Sequence, residues 1–370
     1  MAFHGSTILN FPDRSRSRAG EVRPRSAPSG QSALVDYCGA VHVHSTYSDG
    51  DGTIPEILDA ARGAGLDYVL LTDHAEMSLC DRRWEAWHDG VLLALGCELS
   101  PGKEPHSLAL ELDDPSGLDA LAPAERLAEV NARGGYSFIA HPRGHRMAGM
   151  DIPPWTEWKS PFIAGLEIWS FTYDWLGTFR WRRAVSCYRR PHALVTGPNP
   201  EVLATWDRLA SRRPVSGIAG VDAHARPTIF GRLKIFPYDM LFGTTLTHVL
   251  VGELGRDAAA DAATVKKALV AGRCYMAYHA VGDPAGFRFF ARSDSGIAQM
   301  GDEVALTARP ALRVTLPATA EIRFIANGRA VAGRHASRAE YRPVEPGPHR
   351  VEVRHAGRPW IFSNHVHVTS

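Results

Sequence analysis

Residues 41–74, VHVHSTYSDGDGTIPEILDAARGAGLDYVLLTDH, hold a strand, a helix and a second strand in one short span. The helix is the plainest part. Thr53 and Glu56 have the spacing of a capping box, Pro55 suits the first turn, and Ile54, Ile57, Leu58 and Ala61 mark one apolar face. Gly65 ends the helix, and the apolar run Tyr68–Thr72 reads as a buried strand. Ahead of the helix, Val41–His44 alternates apolar and polar residues, as a half-buried strand does. Its polar face carries His42 and His44, with Asp49 beyond the turn. Similar strand-like runs recur at YSFIAH (136–141), AGLEIWS (164–170) and VSGIAGVDAH (215–224), separated by helical patterns. Such alternation implies an α/β fold with a parallel sheet, open or closed into a barrel.

Beyond Pro284 the pattern changes. FRFFAR, ALRVTL, EIRFIANGRAV, HRVEVRHAG and WIFSNHVHV are short strands broken by Gly, Pro and Asn, with no helical period. Three regions follow: an Arg-, Ser- and Pro-rich arm over 1–32, an α/β unit over 33–284 and an all-β sandwich over 285–370. The net charge of +1 gives no general reason to expect nucleic acid or an anionic membrane. No apolar run reaches the length of a bilayer-spanning helix, and the N-terminus lacks the pattern of a secretory signal. The 5 cysteines form no CxxC pair and read as reduced thiols, which points to a cytoplasmic protein. The 17 histidines carry more information through their placement.

That placement is at strand ends. His42, His44 and Asp49 close the first strand, His74 follows the second in Thr72-Asp73-His74, and Glu98 ends a small apolar run with His106 eight residues later. His141 closes YSFIAH, and Asp222 and His224 close VSGIAGVDAH. In parallel α/β folds, ligands gather at the carboxyl ends of strands. Six histidines and three carboxylates buried there without partners would be costly, and a metal cluster removes that cost. By contrast, His365 and His367 in HVHV have no carboxylate nearby in sequence and read as exposed strand positions.

As a set, HxHSxxSDG, TDH, a Glu with a later His, AHP and the final DxH resemble the PHP (polymerase and histidinol phosphatase) family of metal-dependent phosphoesterases. GLEIWS, LATWDRL, GVDAH and PWIFSN resemble its CehA/McbA-type branch. The resemblance implies a distorted seven-stranded (β/α) PHP barrel with the β-sandwich appended. It also implies up to three divalent transition metals per chain. One would take His42, His44, Glu98 and Asp222, and a second would take Glu98, His106 and His141. The third would take Asp49, His74 and His224, of which Asp49 and His74 are also placed in catalysis. Mixed nitrogen and oxygen ligation without thiolate suits Zn, Mn or Fe.

Such a centre would bind a small anionic substrate, above all a phosphate ester, and activate hydroxide near neutral pH. Arg143 and Arg226, each just past a ligand-bearing strand end, are candidate clamps on the anionic group. The expected activity is therefore phosphomonoester or phosphodiester hydrolysis. Carbamate or carboxyl-ester hydrolysis at the same centre is the alternative, followed by a non-catalytic binding role. A nucleotide or nucleic-acid substrate stays open, although the net charge does not point to one.

Overall fold

The computed structural model describes residues 34–147, 150–227 and 234–370, so the arm over 1–32 lies outside the described residues. β1 (Val35–Val43), α1 (Ile54–Ala64) and β2 (Tyr68–Leu71) follow the expected order. In α1 the capping box of Thr53 and Glu56 is formed, Gly65 closes the helix at φ 70°, and Ile54, Ile57, Leu58 and Ala61 are buried. Next come β3 (Val91–Leu95), β4 (Cys97–Leu99), β5 (Ser107–Leu110), α2 (Pro123–Ala132), β6 (Tyr136–Ile139) and β7 (Ile163–Ser170). α3 (Phe171–Thr178), α4 (Pro200–Ala210), β8 (Ser216–Gly220), β9 (Thr245–Val251), α5 (Ala258–Val270) and β10 (Cys274–Tyr278) complete the α/β part. The remainder is almost entirely strand, principally β11 (Arg288–Ser293), β12 (Ala311–Ala326), β13 (Arg329–Tyr341), β14 (Gly347–His355), β15 (Arg358–Ser363) and β16 (Val366–Thr369).

The result is a mixed α/β fold built on two large sheets. The smaller has the order β8-β7-β6-β5-β4. The larger runs β11-β12-β14-β15-β10-β9-β1-β2-β3, with short strands at both ends. Hydrogen bonds return the smaller sheet to the β1–β2 pair at both of its edges. Past β8, Val221 N–H donates to Val41 O and His44 N–H to Ala223 O; past β2, Glu98 N–H donates to Asp73 O and Ala75 N–H to Glu98 O. The C-terminal ends of β1, β2, β6 and β8 thereby face one centre.

The parallel sheet expected from the alternating pattern needs two corrections: β9 runs antiparallel to both β1 and β10, and a second reversal occurs at β5. β5 runs antiparallel to both β4 and β6. The loop joining β4 to β5 covers only residues 100–106, too short for a parallel crossover, which takes a dozen residues or more. The reversal matters for the site. His106 stands at the beginning of β5, and that beginning lies on the same rim as the ends of its neighbours.

The strands after Pro284 do not form a detached sheet, because β15 pairs with β10 through Tyr275–Ser363 and Ala277–Ile361. Their apolar core, including Phe289, Leu312, Phe324, Val351 and Ile361, takes in Leu250 and Tyr275 of the α/β part. Each such side chain contributes about 1.5–3 kcal/mol on full burial. Phe362 crosses to the other side and meets the Trp169 ring edge-on at 5.4 Å. Among the described residues no helix is long and apolar enough to cross a membrane.

Candidate metal centre

Each candidate side chain is delivered by a local device. On β1 the pairing with β2 slips between Val41 and Val43, and His42 takes a left-handed backbone at φ 67°. The turn after β1 is held by Asp73, which accepts from Ser45 N–H at 2.7 Å, Ser45 Oγ at 2.7 Å and Ser48 Oγ at 2.6 Å. Gly50 is required in that turn, since a Cβ there would stand 2.4 Å from His44 O. Asp49 is presented by this turn, so Asp73 positions it at one remove. His141 and Asp222 also have left-handed φ, at 24° and 47°. Non-glycine residues adopt this region at a cost and concentrate where function demands it.

Glu98, 1% exposed, is the hub. Its Oε2 lies 3.2 Å from Nε2 of both His42 and His44, and Asp222 Oδ1 approaches the same two nitrogens at 3.3 and 3.4 Å. Its Oε1 faces the other way, 2.8 Å from His106 Nδ1 and 3.3 Å from His141 Nε2. On the far side of His44, Asp49 Oδ1 stands 3.3 Å from His74 Nε2 and 3.0 Å from His224 Nε2. The donor atoms within each of these three groups lie within 4.8 Å of one another, and His44 stands between the first group and the third. The structure thus brings all nine candidate ligands into one cluster.

Two properties of the cluster fit cations. Both ring nitrogens of His44, His141 Nδ1, Asp49 Oδ1 and Asp222 Oδ1 are buried without a hydrogen-bond partner. Buried polar atoms are nearly always paired, and several unpaired ones converging on one volume are compatible with a cation held between them. The field agrees. Burial disfavours charge on His42, yet Asp222, Glu98 and Glu167 hold its pKa well above the usual histidine value. Against the same burial, the carboxylates of Asp49 and Glu98 push His74 up to about 9. Glu98 and Asp222 are held well below the usual carboxylate range, burial being outweighed by His42 and its neighbouring histidines. Divalent ions held by these groups would displace protons from the imidazoles.

Sequence reasoning left Glu167 without a role. Its Oε1 lies 3.3 Å from His42 Nδ1 and its Oε2 accepts from His141 N–H at 2.6 Å, so one carboxylate fixes two of the candidate ligands. Gly220 makes room for it, as a Cβ there would fall 1.7 Å from Glu167 Oε1. The available signal was a carboxylate inside the buried apolar run of β7. Tyr173, stacked on His141 at 4.3 Å, also escaped notice. Glu167→Gln is expected to lower metal affinity or turnover 10- to 100-fold, the usual cost of losing a carboxylate that orients a ligating histidine. Metal titration of the variant checks this, and unchanged affinity and turnover would show that Glu167 is only a packing residue.

The two arginines are engaged by protein groups. Arg226 donates to the Asp49 backbone oxygen at 2.8 Å and also pairs with the Asp49 carboxylate. Arg143 pairs with Glu201 at 3.4 Å and lines a cavity of about 700 Å³ that opens beside His141, together with His145, Tyr173 and Asn199. Asp174 has a structural task, accepting from Thr196 N–H, Thr196 Oγ1 and Gly197 N–H at 3.0 Å each. His365 and His367, expected to be exposed, are instead 2% and 9% exposed. His365 Nε2 lies 2.9 Å from Asp207 Oδ1, a carboxylate brought from α4 that sequence proximity could not reveal.

Residues 40–131 match the model of the PHP domain. The chain carries a PHP domain. The matched span contains His42, His44, Asp49, His74, Glu98 and His106, while His141, Asp222 and His224 lie beyond it and reach the same cluster through the fold. No curated protein matches the chain. Among solved structures it is similar to a two-domain protein from Bacteroides vulgatus containing a predicted PHP-like metal-dependent phosphoesterase. The identity is 15%, the match covers 94% of this chain and 100% of that one, and the TM-score is 0.43. It is also similar to PsfC from Pseudomonas syringae at 18% identity, with 61% of this chain and 87% of that one covered and a TM-score of 0.38.

Proposed function

We propose that this PHP-domain protein is a metal-dependent hydrolase that cleaves a phosphate ester, mono- or diester, at a centre of up to three divalent ions. The observation that carries this reading is Glu98, whose two oxygens serve two separate histidine groups while a third group forms around Asp49. The donor set is imidazole and carboxylate without thiolate, which fits Zn, Mn or Fe. In the same reading, β1, β2 and β4 to β8 make up the distorted seven-stranded barrel, and residues 285–370 form a β-sandwich fused to its sheet. When bound, such ions would polarise phosphoryl oxygens and bring the pKa of water near neutrality.

The residues of the chain supply position and charge. Glu167 and Asp73 hold the imidazoles and the Asp49 turn in place before substrate arrives. Arg143 at the cavity mouth is suited to meet the anionic oxygens, for which it would exchange its exposed pairing with Glu201. The cavity beside His141 gives the leaving group room.

The test compares kcat/KM for an aryl phosphate, an aryl phosphodiester and an aryl carbamate. A phosphate substrate is expected to be preferred by about tenfold or more, and Arg143→Ala to lower kcat/KM for phosphates alone by about tenfold, equivalent to about 1.4 kcal/mol of transition-state binding. A carbamate preferred tenfold and indifferent to Arg143→Ala would assign the centre to carbonyl chemistry.

A further inference from the structure

One buried group of nitrogen, sulfur and oxygen atoms takes no part in the Glu98 cluster. Cys38 on β1 and His248 on β9 are directly opposed in the antiparallel pair, and His279 follows the end of β10. The sulfur and one nitrogen from each ring lie within 4.8 Å of one another, and all three residues are buried. His279 Nε2 is 2.8 Å from His248 Nε2 and 3.7 Å from Cys38 Sγ. Behind His248, Asp36 Oδ1 approaches Nδ1 at 2.8 Å. Asp36 is itself fixed by the Tyr275 hydroxyl at 2.8 Å and by Arg288 of β11 at 3.6 Å.

A carboxylate behind an imidazole places the ring proton on Nδ1 and turns the Nε2 lone pair inward, which is how ligating histidines are oriented in metal sites. A chain of hydrogen bonds from Asp36 to Cys38 would satisfy many of the same atoms. The sulfur distance also fits an ion. On a tetrahedral zinc with bonds of about 2.3 Å to sulfur and 2.0 Å to nitrogen, those two ligands stand roughly 3.5 Å apart. The 3.7 Å between Cys38 Sγ and His279 Nε2 is close to that spacing, while the 2.8 Å between the two Nε2 atoms is shorter than the roughly 3.3 Å of two imidazole nitrogens on such a zinc, so the rings would part by about 0.5 Å on binding.

We propose that Cys38, His248 and His279 form a second metal site, one that takes zinc and is distinct from the Glu98 centre. Thiolate and imidazole ligands select zinc over manganese. Three protein ligands leave one of its four positions to a non-protein ligand. The ion would tie β1, β9 and β10 together where Arg288 brings in the C-terminal strands.

The experiment uses the full-length protein, first as purified for elemental analysis and then with cobalt(II) exchanged for its metals. The Glu98 cluster as assigned contains no thiolate, so a near-ultraviolet thiolate-to-cobalt band that depends on Cys38 reports on this second site. The band is expected in the wild-type protein, to persist in Glu98→Gln and Cys187→Ala, and to vanish in Cys38→Ala with one equivalent of metal lost per chain. A cobalt-loaded wild-type protein without the band, or a band indifferent to Cys38→Ala, overturns the proposal. If Cys38→Ala fails to fold, the wild-type spectrum decides by itself.

Discussion

Glu98→Gln is expected to reduce turnover of an aryl phosphate by on the order of 10³-fold or more, at least the loss that follows removal of one group stabilising charge in a transition state. The magnitude rests on its double role. Oε2 faces His42 and His44 while Oε1 faces His106 and His141, so a single substitution disables two of the three groups. Glutamine keeps the shape but removes the negative charge and turns an amide donor toward one set of imidazoles. Elemental analysis should show a loss of more than one metal equivalent, while circular dichroism remains that of the folded protein. A variant with wild-type turnover and full metal content would falsify the assignment of Glu98 as the shared ligand.

Residues near one another in sequence, or at the end of a recognisable run, were open to sequence reasoning. Thr53, Glu56 and Gly65 bound α1, and the His and Asp positions of VHVH, TDH and DAH stand at strand ends, because local hydrogen bonding and strand direction set both. Reversal of β5 was harder to see. Loop 100–106 carries the information in its length, yet the apolar run that follows looks the same in either direction.

Distant partners outside the motifs that carry the family resemblance were not legible. Glu167 meets His42 across 125 positions, and Cys38 meets His279 across 241. His365 was misread for the same reason: histidine in a period-two pattern defaults to the exposed face, and only Asp207, 158 residues away, makes its burial affordable.

That carboxylate carries the second large effect. Asp207→Ala is expected to cost about 3–5 kcal/mol of stability, the range seen when one partner of a buried ion pair is removed. Asp207 on α4 accepts two hydrogen bonds from Arg350 of β14, from Nε at 2.8 Å and Nη2 at 2.9 Å, with side chains only 6% and 3% exposed. Burial pushes the His365 pKa below the ordinary histidine value, so at neutral pH that ring contributes a hydrogen bond and no charge. Arg350 does not deprotonate, and without Asp207 it keeps the partly exposed Glu352 at 2.7 Å and the face of Trp206 at 5.4 Å, neither of which replaces a buried bidentate carboxylate.

The pH dependence follows from the carboxylate. Burial would raise the Asp207 pKa, but hydrogen bonds from Arg350 and His365 hold it below the usual range. Its stabilisation is therefore present above about pH 3.9, the unfolded value, and is lost as pH falls from there toward the folded one. Urea midpoints for Asp207→Ala, Arg350→Met and the double variant provide the measurement. The double variant should be more stable than Asp207→Ala, since it no longer buries an unpaired guanidinium. A single-variant loss below about 1 kcal/mol, the level of a surface pair, would mean that water reaches Arg350 and that α4 and β14 are joined by apolar packing alone.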